Sequence, residues 1–160
     1  ARTGRVTSEA PGHCQCSCGE VEFPTPADPL FRMVCHCTIC QRFNEATYAD
    51  VVVYSAKNVQ APPAGKVTFD TYRPPPNVQR GRCGHCGKPA LEVLAVPMLP
   101  NLVMIPRDNF PADAVLPDPS AHIFYESRVA DAADAAPKYE GYWRSQLAFG
   151  RCLFTSLFRS

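Results

Sequence analysis

Short runs of β-branched and aromatic residues, separated by prolines, dominate the pattern of apolar and polar positions along the chain. Runs of this length between turn signals predict β-strands, and proline at the breaks disfavours helices. The predicted strands lie at residues 47–54, 66–72, 91–96, 102–105 and 121–125. Helical signals are confined to about one turn after Cys37 and to the C-terminal end. The sequence therefore predicts a mainly β, single-domain fold.

The composition is that of one globular domain. The chain has 160 residues, of which 46% are hydrophobic, enough for a single core. A formal net charge of +1 gives no electrostatic basis for binding nucleic acid or an anionic membrane. No apolar run approaches the roughly 18 residues that a spanning helix needs. Residues 1–8 lack the apolar segment of a signal peptide, and we expect residues 1–11 to form a flexible leader.

Nine cysteines are the unusual part of the composition. Disulfide frameworks belong to short secreted chains, and an odd count leaves at least one thiol unpaired. The spacings C-x-C, C-x-C-x-x-C and C-x-x-C bring sulfurs close together in sequence, which is typical of metal chelation. Thiolates are soft ligands that suit zinc. The sequence therefore predicts zinc sites and, because the thiols must stay reduced, a cytoplasmic protein.

The densest run of cysteines has the pattern C-H-C-x-x-C and contains Cys35, Cys37 and Cys40. Zinc binds four ligands in a tetrahedron, and this run supplies three of them. A structural zinc site fills its fourth position with protein, whereas a catalytic site leaves that position open to water or substrate. The weaker alternative is that the three thiols are buried as small hydrophobic residues. We therefore expect a reactive metal here.

Two further groups of cysteines lie on either side of this run. Cys14, Cys16 and Cys18 alternate, so an extended backbone would place their sulfurs on one face, where any adjacent pair could bind a metal. Cys83 and Cys86 form a glycine-containing C-x-x-C of the kind found in zinc knuckles. A lone C-x-x-C can also be a redox motif. Combined with the upstream C-x-C, it indicates instead a four-sulfur structural zinc site joining segments more than sixty residues apart.

The four histidines carry little signal of their own. His36 and His85 lie beside candidate ligands, but neighbouring side chains in an extended or turn segment point apart. We therefore expect neither of them to bind metal. His13 and His122 show no local pattern.

Taken in order, the chain contains C-x-C-G-x-V at residues 16–21, C-H-C-x-x-C at 35–40 and R-x-x-C-x-x-C-G at 80–87. A further segment reads H-I-F-Y-E-S-R at 122–128 and is followed by P-K-Y at 137–139. This series resembles the glutathione-dependent formaldehyde-activating (Gfa) family. The resemblance runs in unbroken order from about Gly12 to Tyr139.

The resemblance implies a mainly β, tent-like zinc fold with two zinc ions per chain. It implies a structural zinc on Cys16, Cys18, Cys83 and Cys86. It implies a catalytic zinc on Cys35, Cys37 and Cys40. The activity attached to the family is condensation of formaldehyde with glutathione to S-(hydroxymethyl)glutathione, which is classed with the carbon–sulfur lyases. An open zinc position can lower the pKa of a thiol and so yield the thiolate that attacks the carbonyl carbon.

Beyond the cysteines, the resemblance raises two questions. Arg42, Arg80 and Arg82 are candidates, from sequence proximity alone, to offset the negative charge of a thiolate-bound metal, although solvated surface charges are the favoured interpretation. At residues 41–46 the family commonly has R-K-x-(S/T)-G-A, whereas this chain has Q-R-F-N-E-A. Glu45 therefore replaces a glycine. It is either a proton acceptor for the thiol or an exposed loop residue, and we favour the latter.

By the same resemblance, residues 12–140 form the zinc domain and residues 141–160 form a C-terminal tail. Apolar residues recur in the tail at near-helical spacing, at Trp143, Leu147, Phe154 and Phe158. Gly150 weakens a helix prediction. We expect the tail to cap the core or to form an oligomer contact, and Cys152 to be an unliganded thiol. Binding to a membrane surface is less favoured, because one short basic stretch is a weak anchor.

Two functions from different classes remain open at this point. The leading hypothesis is a zinc enzyme of thiol–aldehyde adduct chemistry, acting on glutathione or a related small thiol and an aldehyde such as formaldehyde. The alternative is a zinc-stabilised binding or carrier module without catalysis. The fourth ligand of the Cys35 site discriminates between them. Closure by protein, through Cys14 or a histidine, would make catalysis by that metal implausible.

Overall fold

The computed structural model describes residues 12–63, 65–72 and 77–158. The predicted leader, residues 1–11, lies outside them, as do the prolines at 74–76. The strands in the described residues are β1 Gly12–Gln15, β2 Glu22–Thr25, β3 Phe31–Cys35, β4 Ala49–Ser55, β5 Val67–Asp70, β6 Val78–Cys83, β7 Pro89–Leu94, β8 Leu102–Pro106 and β9 Ala121–Ile123. The α-helices are α1 Thr38–Asn44 and α2 Tyr142–Leu157. Short 3-10 turns follow β4, β8 and β9.

One large sheet organises the chain. Seven strands pair in the order β5-β6-β7-β8-β4-β3-β9, and β1 and β2 form a separate hairpin. All neighbours in the large sheet are antiparallel except β3 and β9, which are parallel. The prediction of a mainly β, single-domain fold is confirmed. Strands β4, β5, β7, β8 and β9 overlap the five predicted strands.

The remaining four strands lack a clear apolar pattern. β3 is only five residues long and ends in the cysteine run, whose spacing dominates that segment. β6 contains two arginines and a glycine, which seldom mark a strand. The close approach of β5 explains that glycine. A Cβ atom at Gly81 would lie 2.6 Å from Cγ1 of Val67 and 2.8 Å from Cε1 of Phe69.

Both faces of the large sheet are buried, because its central strands are apolar on both sides. In β4, Val51 and Val53 belong to one apolar cluster, whereas Val52 and Tyr54 belong to the other. This division follows from the two-residue period of a strand. α2 packs on the first side, called here the helix face, and the β1–β2 hairpin packs on the second, the hairpin face. The unbroken apolar run of β4 therefore reflects a buried central strand.

Helix α1 follows the cysteine run directly and is seven residues long, longer than the single predicted turn. It ends at Glu45, whose backbone is left-handed with φ of 49°. Glycine adopts this conformation without steric penalty, which accounts for the glycine at this position in the family pattern. The Glu45 side chain is exposed, as expected.

Helix α2 contains most of the C-terminal tail and continues through Gly150 without a break. Its inner side buries Ser145, Ala148 and Leu153. Residues 130–136 contain no helix or strand. No helix in the described ranges is both long and apolar enough to cross a membrane.

Candidate metal centres

A four-cysteine cluster borders the hairpin face of the sheet. Its members are Cys16, Cys18, Cys83 and Cys86, and their sulfurs all lie within 4.8 Å of one another. The Sγ atom of Cys16 is 3.3 Å from that of Cys18 and 3.5 Å from that of Cys83. The Sγ atoms of Cys18 and Cys83 are 3.7 Å apart. Tetrahedral zinc with Zn–S bonds of about 2.3 Å holds its sulfurs about 3.8 Å apart. The donor set and its spacing fit zinc.

Two tight turns bring these sulfurs together. After β1, the Gly19 amide donates to the Cys16 carbonyl over 3.0 Å, and Gly19 has φ of 81°. After β6, the Gly87 amide donates to the Cys83 carbonyl over 2.9 Å, and Gly87 has φ of 74°. Both conformations favour glycine. The backbone is not extended through all three of the first cysteines, because β1 ends before Cys16 and a turn returns Cys18 to it.

Backbone amides point at two of these sulfurs. The Val21 amide donates to the Cys16 sulfur over 3.3 Å, and the His85 amide donates to the Cys83 sulfur over 3.4 Å. Such bonds stabilise thiolates. Although burial opposes ionisation, the Val21 amide and hydrogen bonds from Cys18 and Cys83 lower the pKa of Cys16 to about 6. Cys16 therefore favours the deprotonated form that a metal requires.

Cys14 belongs to neither cysteine cluster among the described residues. Its side chain is fully buried, and its sulfur lies 3.9 Å from the Thr25 hydroxyl oxygen. Burial raises the pKa of Cys14 to about 12, against the opposing effect of Thr25. Cys14 is therefore a neutral core thiol and the spare member of the N-terminal cysteine group.

A three-cysteine cluster borders the helix face of the sheet. Cys35 ends β3, Cys37 immediately precedes α1 and Cys40 lies in its first turn. Their sulfurs all lie within 4.8 Å of one another. The Cys37 sulfur caps α1 by accepting a hydrogen bond from the Cys40 amide over 3.3 Å. A strand end and a helix start thus place three thiols around one point, where the helix dipole favours negative charge.

No fourth histidine, cysteine, aspartate or glutamate in the described part of the chain offers a ligand atom within 4.8 Å of all three sulfurs. The closing ligand considered from sequence, Cys14, packs against Thr25 in the hairpin-face cluster instead. His36 turns its ring toward His122. Three soft donors without a fourth fit a zinc ion that keeps one position for a small ligand.

Cys37 is the thiol of this cluster that ionises first. Hydrogen bonds from Cys35 and Cys40 lower the pKa of Cys37 to about 3, and the charge of Arg80 acts in the same direction. The same contacts raise the pKa of Cys35 and of Cys40. One negative charge is therefore stable at the cluster before any metal displaces the remaining protons.

A buried ion pair adjoins the three-cysteine cluster. Arg80 in β6 and Glu92 in β7 are direct cross-strand partners, with 2.9 Å between Nε and Oε1. Their side chains are only 11% and 5% exposed. Although burial opposes the shift, the charge of Glu92 and the neighbouring Cys40 thiol raise the pKa of Arg80. Burial raises the pKa of Glu92 to about 7, although Arg80 opposes the shift. The favoured interpretation of Arg80 as a solvated charge is therefore wrong.

Three arginines converge on Tyr72, forming what we call the arginine cluster. The guanidinium carbons of Arg42 and Arg80 lie 5.2 Å and 5.7 Å from the centroid of the Tyr72 ring. Arg82 donates to the Tyr72 hydroxyl over 2.9 Å and lies 4.8 Å over the Phe43 ring. Because Arg80 also contacts Cys40, this cluster is continuous with the three-cysteine cluster.

A chain of three polar side chains, buried at His36 and His122 and exposed at Asp134, contacts the cysteine run. Nε2 of His36 lies 2.8 Å from Nδ1 of His122, and Nε2 of His122 lies 2.8 Å from the Asp134 carboxylate. Burial lowers the pKa of His36, and the charges of His122 and Arg128 add to this effect. The His36 amide donates to the Ile123 carbonyl over 3.0 Å. These contacts fix the backbone between Cys35 and Cys37 against β9.

Sequence reasoning missed Glu92, Tyr72 and the pairing of His122 with Asp134. Glu92 had a signal, because it is a lone charge inside the apolar strand 89–94. Tyr72 and Asp134 had none, since each reaches the site from a segment without metal-ligand spacing.

The comparison with known proteins agrees with this arrangement. A family model described as glutathione-dependent formaldehyde-activating enzyme matches residues 11–127. The chain belongs to this family. In this member of the formaldehyde-activating family, the matched region contains both cysteine clusters and ends before α2.

A crystal structure of a Rhodobacter sphaeroides protein is similar to this formaldehyde-activating family member at 17% sequence identity. The similarity covers 66% of this chain and 91% of that chain, with a TM-score of 0.49. No curated protein matches the chain.

Proposed function

We propose that this protein is a zinc enzyme that activates a small thiol, glutathione or a close relative, for addition to formaldehyde or another aldehyde. The thiolate sulfur forms a carbon–sulfur bond as the carbonyl π bond breaks, and the thiol proton ends on the former carbonyl oxygen. The product is a hemithioacetal, S-(hydroxymethyl)glutathione in the case of formaldehyde, so the class is carbon–sulfur lyase. The observation that carries the proposal is the three-cysteine cluster, which has no fourth protein ligand among the described residues. Membership of the family supports the same substrates.

We propose two zinc ions per chain with different roles. The structural ion is held by Cys16, Cys18, Cys83 and Cys86. The catalytic ion is held by Cys35, Cys37 and Cys40. The contrast between a closed set of four sulfurs and an open set of three supports this division. When bound, the second ion supplies a Lewis-acid position that lowers the pKa of a thiol.

The surrounding residues control the charge of this site. Three thiolates outweigh the charge of a zinc dication, and a thiolate substrate makes the site more negative still. Arg80, in contact with the Cys40 sulfur, offsets that charge. Glu92 in β7 pairs with Arg80 in the adjacent strand β6 and so holds the guanidinium in place.

The arginine cluster supports a thiol that carries carboxylates. Glutathione has two carboxylates, and guanidinium groups bind carboxylates through paired hydrogen bonds. Arg42 is the exposed member of the cluster, stacked on Tyr72. We therefore assign to Arg42 the binding of a substrate carboxylate. Glu45 stays an exposed residue without a part in this chemistry.

We also propose a cytoplasmic location, because all nine cysteines are free thiols and reducing conditions keep them so. Neither nucleic acid nor a membrane is among the proposed partners. The net charge of +1 supplies no attraction for either.

The test is zinc stoichiometry combined with X-ray absorption during a glutathione titration. We expect two zinc ions, one of which exchanges a light-atom ligand for a fourth sulfur as glutathione binds. S-methylglutathione is the matched control, since it keeps both carboxylates but cannot supply a thiolate, and it should leave the spectrum unchanged. If both zinc ions already have four protein ligands and glutathione does not change the spectrum, the enzyme hypothesis is wrong. The protein is then a zinc-stabilised binding or carrier module.

A further inference from the structure

Helix α2 is apolar on two sides, and the core covers only one of them. Ala148 and Leu153 are buried against the helix face of the sheet. A second apolar surface, called here the α2 stripe, consists of Trp143, Leu147, Phe154 and Phe158. These side chains are exposed by 76%, 72%, 65% and 74% in that order. The stripe lies outside the region that matches the family, so the family's chemistry does not account for it.

The stripe is one continuous surface. At 3.6 residues per turn, its four residues and Gly150 fall within a sector of about 100° around the helix. Gly150 lies midway along it, with two large side chains toward each end. The Phe154 and Phe158 rings contact each other, with 4.6 Å between centroids. The arrangement is therefore nearly symmetric about Gly150.

The area of the stripe is at the upper end of what an isolated domain exposes. Side chains of this size carry about 150–250 Å² each, so at the observed exposures the four present on the order of 600 Å². The largest apolar patch of a typical monomer is about 300–600 Å². Two such stripes pressed together bury about 1,200 Å², the lower end of stable protein–protein interfaces.

We propose that the α2 stripe is the contact surface for a second copy of this chain, the two helices crossing antiparallel at Gly150. A two-fold axis at that residue sets Leu147 of one copy against Phe154 of the other, and Trp143 against Phe158. Such an interface is self-complementary, as a two-fold dimer requires. The inference is independent of the proposed function.

Two local features fit a helix of a second copy. A groove of about 460 Å³ runs beside Leu147, between α2 and Tyr139, and is open to receive an aromatic side chain. A Cβ atom at Gly150 would meet nothing within 4 Å in a single copy, so no intramolecular contact requires glycine there. Glycine costs a helix about 1 kcal/mol relative to alanine. Close approach of a second helix accounts for its presence.

The charges beside the stripe separate this proposal from its main rival, an anionic lipid surface. Arg144 and Arg151 flank the stripe, and residues 141–160 contain no acidic residue. Two copies bring like charges to the rim of the interface, so added salt should strengthen the dimer. Added salt should weaken attraction to anionic lipid.

The experiment is sedimentation velocity over a range of protein concentrations, with wild type and three variants. Leu147→Glu should weaken dimerisation about tenfold or more, because it buries a charge in the interface. Thr155→Glu, exposed on α2 but off the stripe, is the matched control and should dimerise like wild type. Gly150→Leu should also weaken the dimer about tenfold by separating the helices, while leaving the thermal stability of the monomer equal or higher.

A wild type that stays monomeric at all concentrations would overturn the proposal, as would a Gly150→Leu variant that dimerises like wild type. Equal weakening by Thr155→Glu would place the interface elsewhere. A parallel flotation assay uses vesicles of phosphatidylserine and phosphatidylcholine. Binding that Gly150→Leu strengthens and salt abolishes would assign the stripe to lipid instead.

Discussion

Glu45 is the residue at which this chain departs from its family with a visible backbone consequence. Its φ of 49° and ψ of 45° lie in the left-handed region at the end of α1. A non-glycine residue there carries a steric penalty of about 1–2 kcal/mol. The Glu45 amide donates to the carbonyls of Arg42 and Gln41, and this shared hydrogen bond of the helix cap holds the residue in place.

Glu45→Gly should therefore stabilise the protein by about 1 kcal/mol, a shift of about 2–4 °C in the melting temperature. Thermal unfolding followed by circular dichroism measures this. Glu45→Ala removes the carboxylate but keeps the backbone penalty, and it should give no comparable gain. If alanine stabilises as much as glycine, charge rather than conformation is the cause.

Arg42→Ala tests the assignment of a substrate carboxylate to the arginine cluster. The KM for glutathione should rise about threefold to tenfold, because one exposed charge-assisted contact is lost. The KM for 2-mercaptoethanol, which has no carboxylate, should stay unchanged. Arg144→Ala on α2 is the control for loss of an exposed arginine. An equal effect on both thiols would contradict the assignment.

Single residues show where sequence reasoning reaches its limit. The two C-x-x-C spacings predict local sulfur pairs, because a ligand pair close in sequence needs only a local turn. The choice of Cys16 and Cys18 over Cys14 came from the family resemblance. Glu92 has no such spacing. It reaches Arg80 through the register of β6 on β7, which arises from pairing along the whole strands. Local pattern cannot supply that register.

At the scale of elements, the loop at 130–136 supports the three-cysteine cluster, although its composition gives no sign of such a role. It places Asp134 against His122, which in turn contacts His36 inside the cysteine run. Asp134 also accepts a hydrogen bond from the Lys138 side chain, which fixes the loop itself. A segment without regular structure thus orients the backbone that presents Cys35 and Cys37.

Asp134→Ala should weaken metal binding at the three-cysteine cluster about tenfold, as loss of an orienting partner typically does. The four-cysteine cluster should be unaffected. Competition between a chelator and cobalt, followed by the thiolate absorption bands, measures the two sites separately. Asp131→Ala is the control in the same loop, since Asp131 is 81% exposed and pairs with Arg128. If the two variants bind cobalt at the three-cysteine cluster with the same affinity, Asp134 does not orient the ligands of that cluster.

Element-level prediction succeeded where burial makes a strand apolar throughout, as in β4 and β8. It missed β6, whose middle residue Arg80 lies beside the three-cysteine cluster and whose last residue, Cys83, belongs to the four-cysteine cluster. A strand that supplies site residues departs from the apolar pattern by which strands are recognised. Helix α2 was predicted only weakly because Gly150 lowers helix propensity, and its packing on the sheet overrides that preference.

At the scale of the whole molecule, the two clusters differ in what they connect. The four-cysteine cluster joins segments 67 residues apart, whereas the three-cysteine cluster spans one strand end and one helix start. Closing the long connection stabilises the whole fold, and structural zinc in small domains contributes on the order of 10 kcal/mol.

Cys83→Ala should therefore prevent the chain from folding, so that its melting curve shows no cooperative transition. Cys37→Ser should keep the fold and lose about one zinc ion. Circular dichroism melting and metal content by mass spectrometry distinguish the two variants. Cys14→Ser, at a buried thiol outside both clusters, controls for loss of a core cysteine and should retain both ions. If Cys37→Ser melts like Cys83→Ala, the division of labour between the clusters is wrong.

The separation of the cysteines along the chain also has a consequence during protein synthesis. A ribosome adds about 5–20 residues per second, so Cys40 emerges a few seconds before Cys83. The nascent chain thus presents all three cysteines of the three-cysteine cluster before Cys83 and Cys86 of the four-cysteine cluster have been translated. On the proposed assignment, zinc meets the catalytic site first and the structural site only later. Scarce zinc is then expected to leave newly made chains with a filled catalytic site and an unfilled structural one.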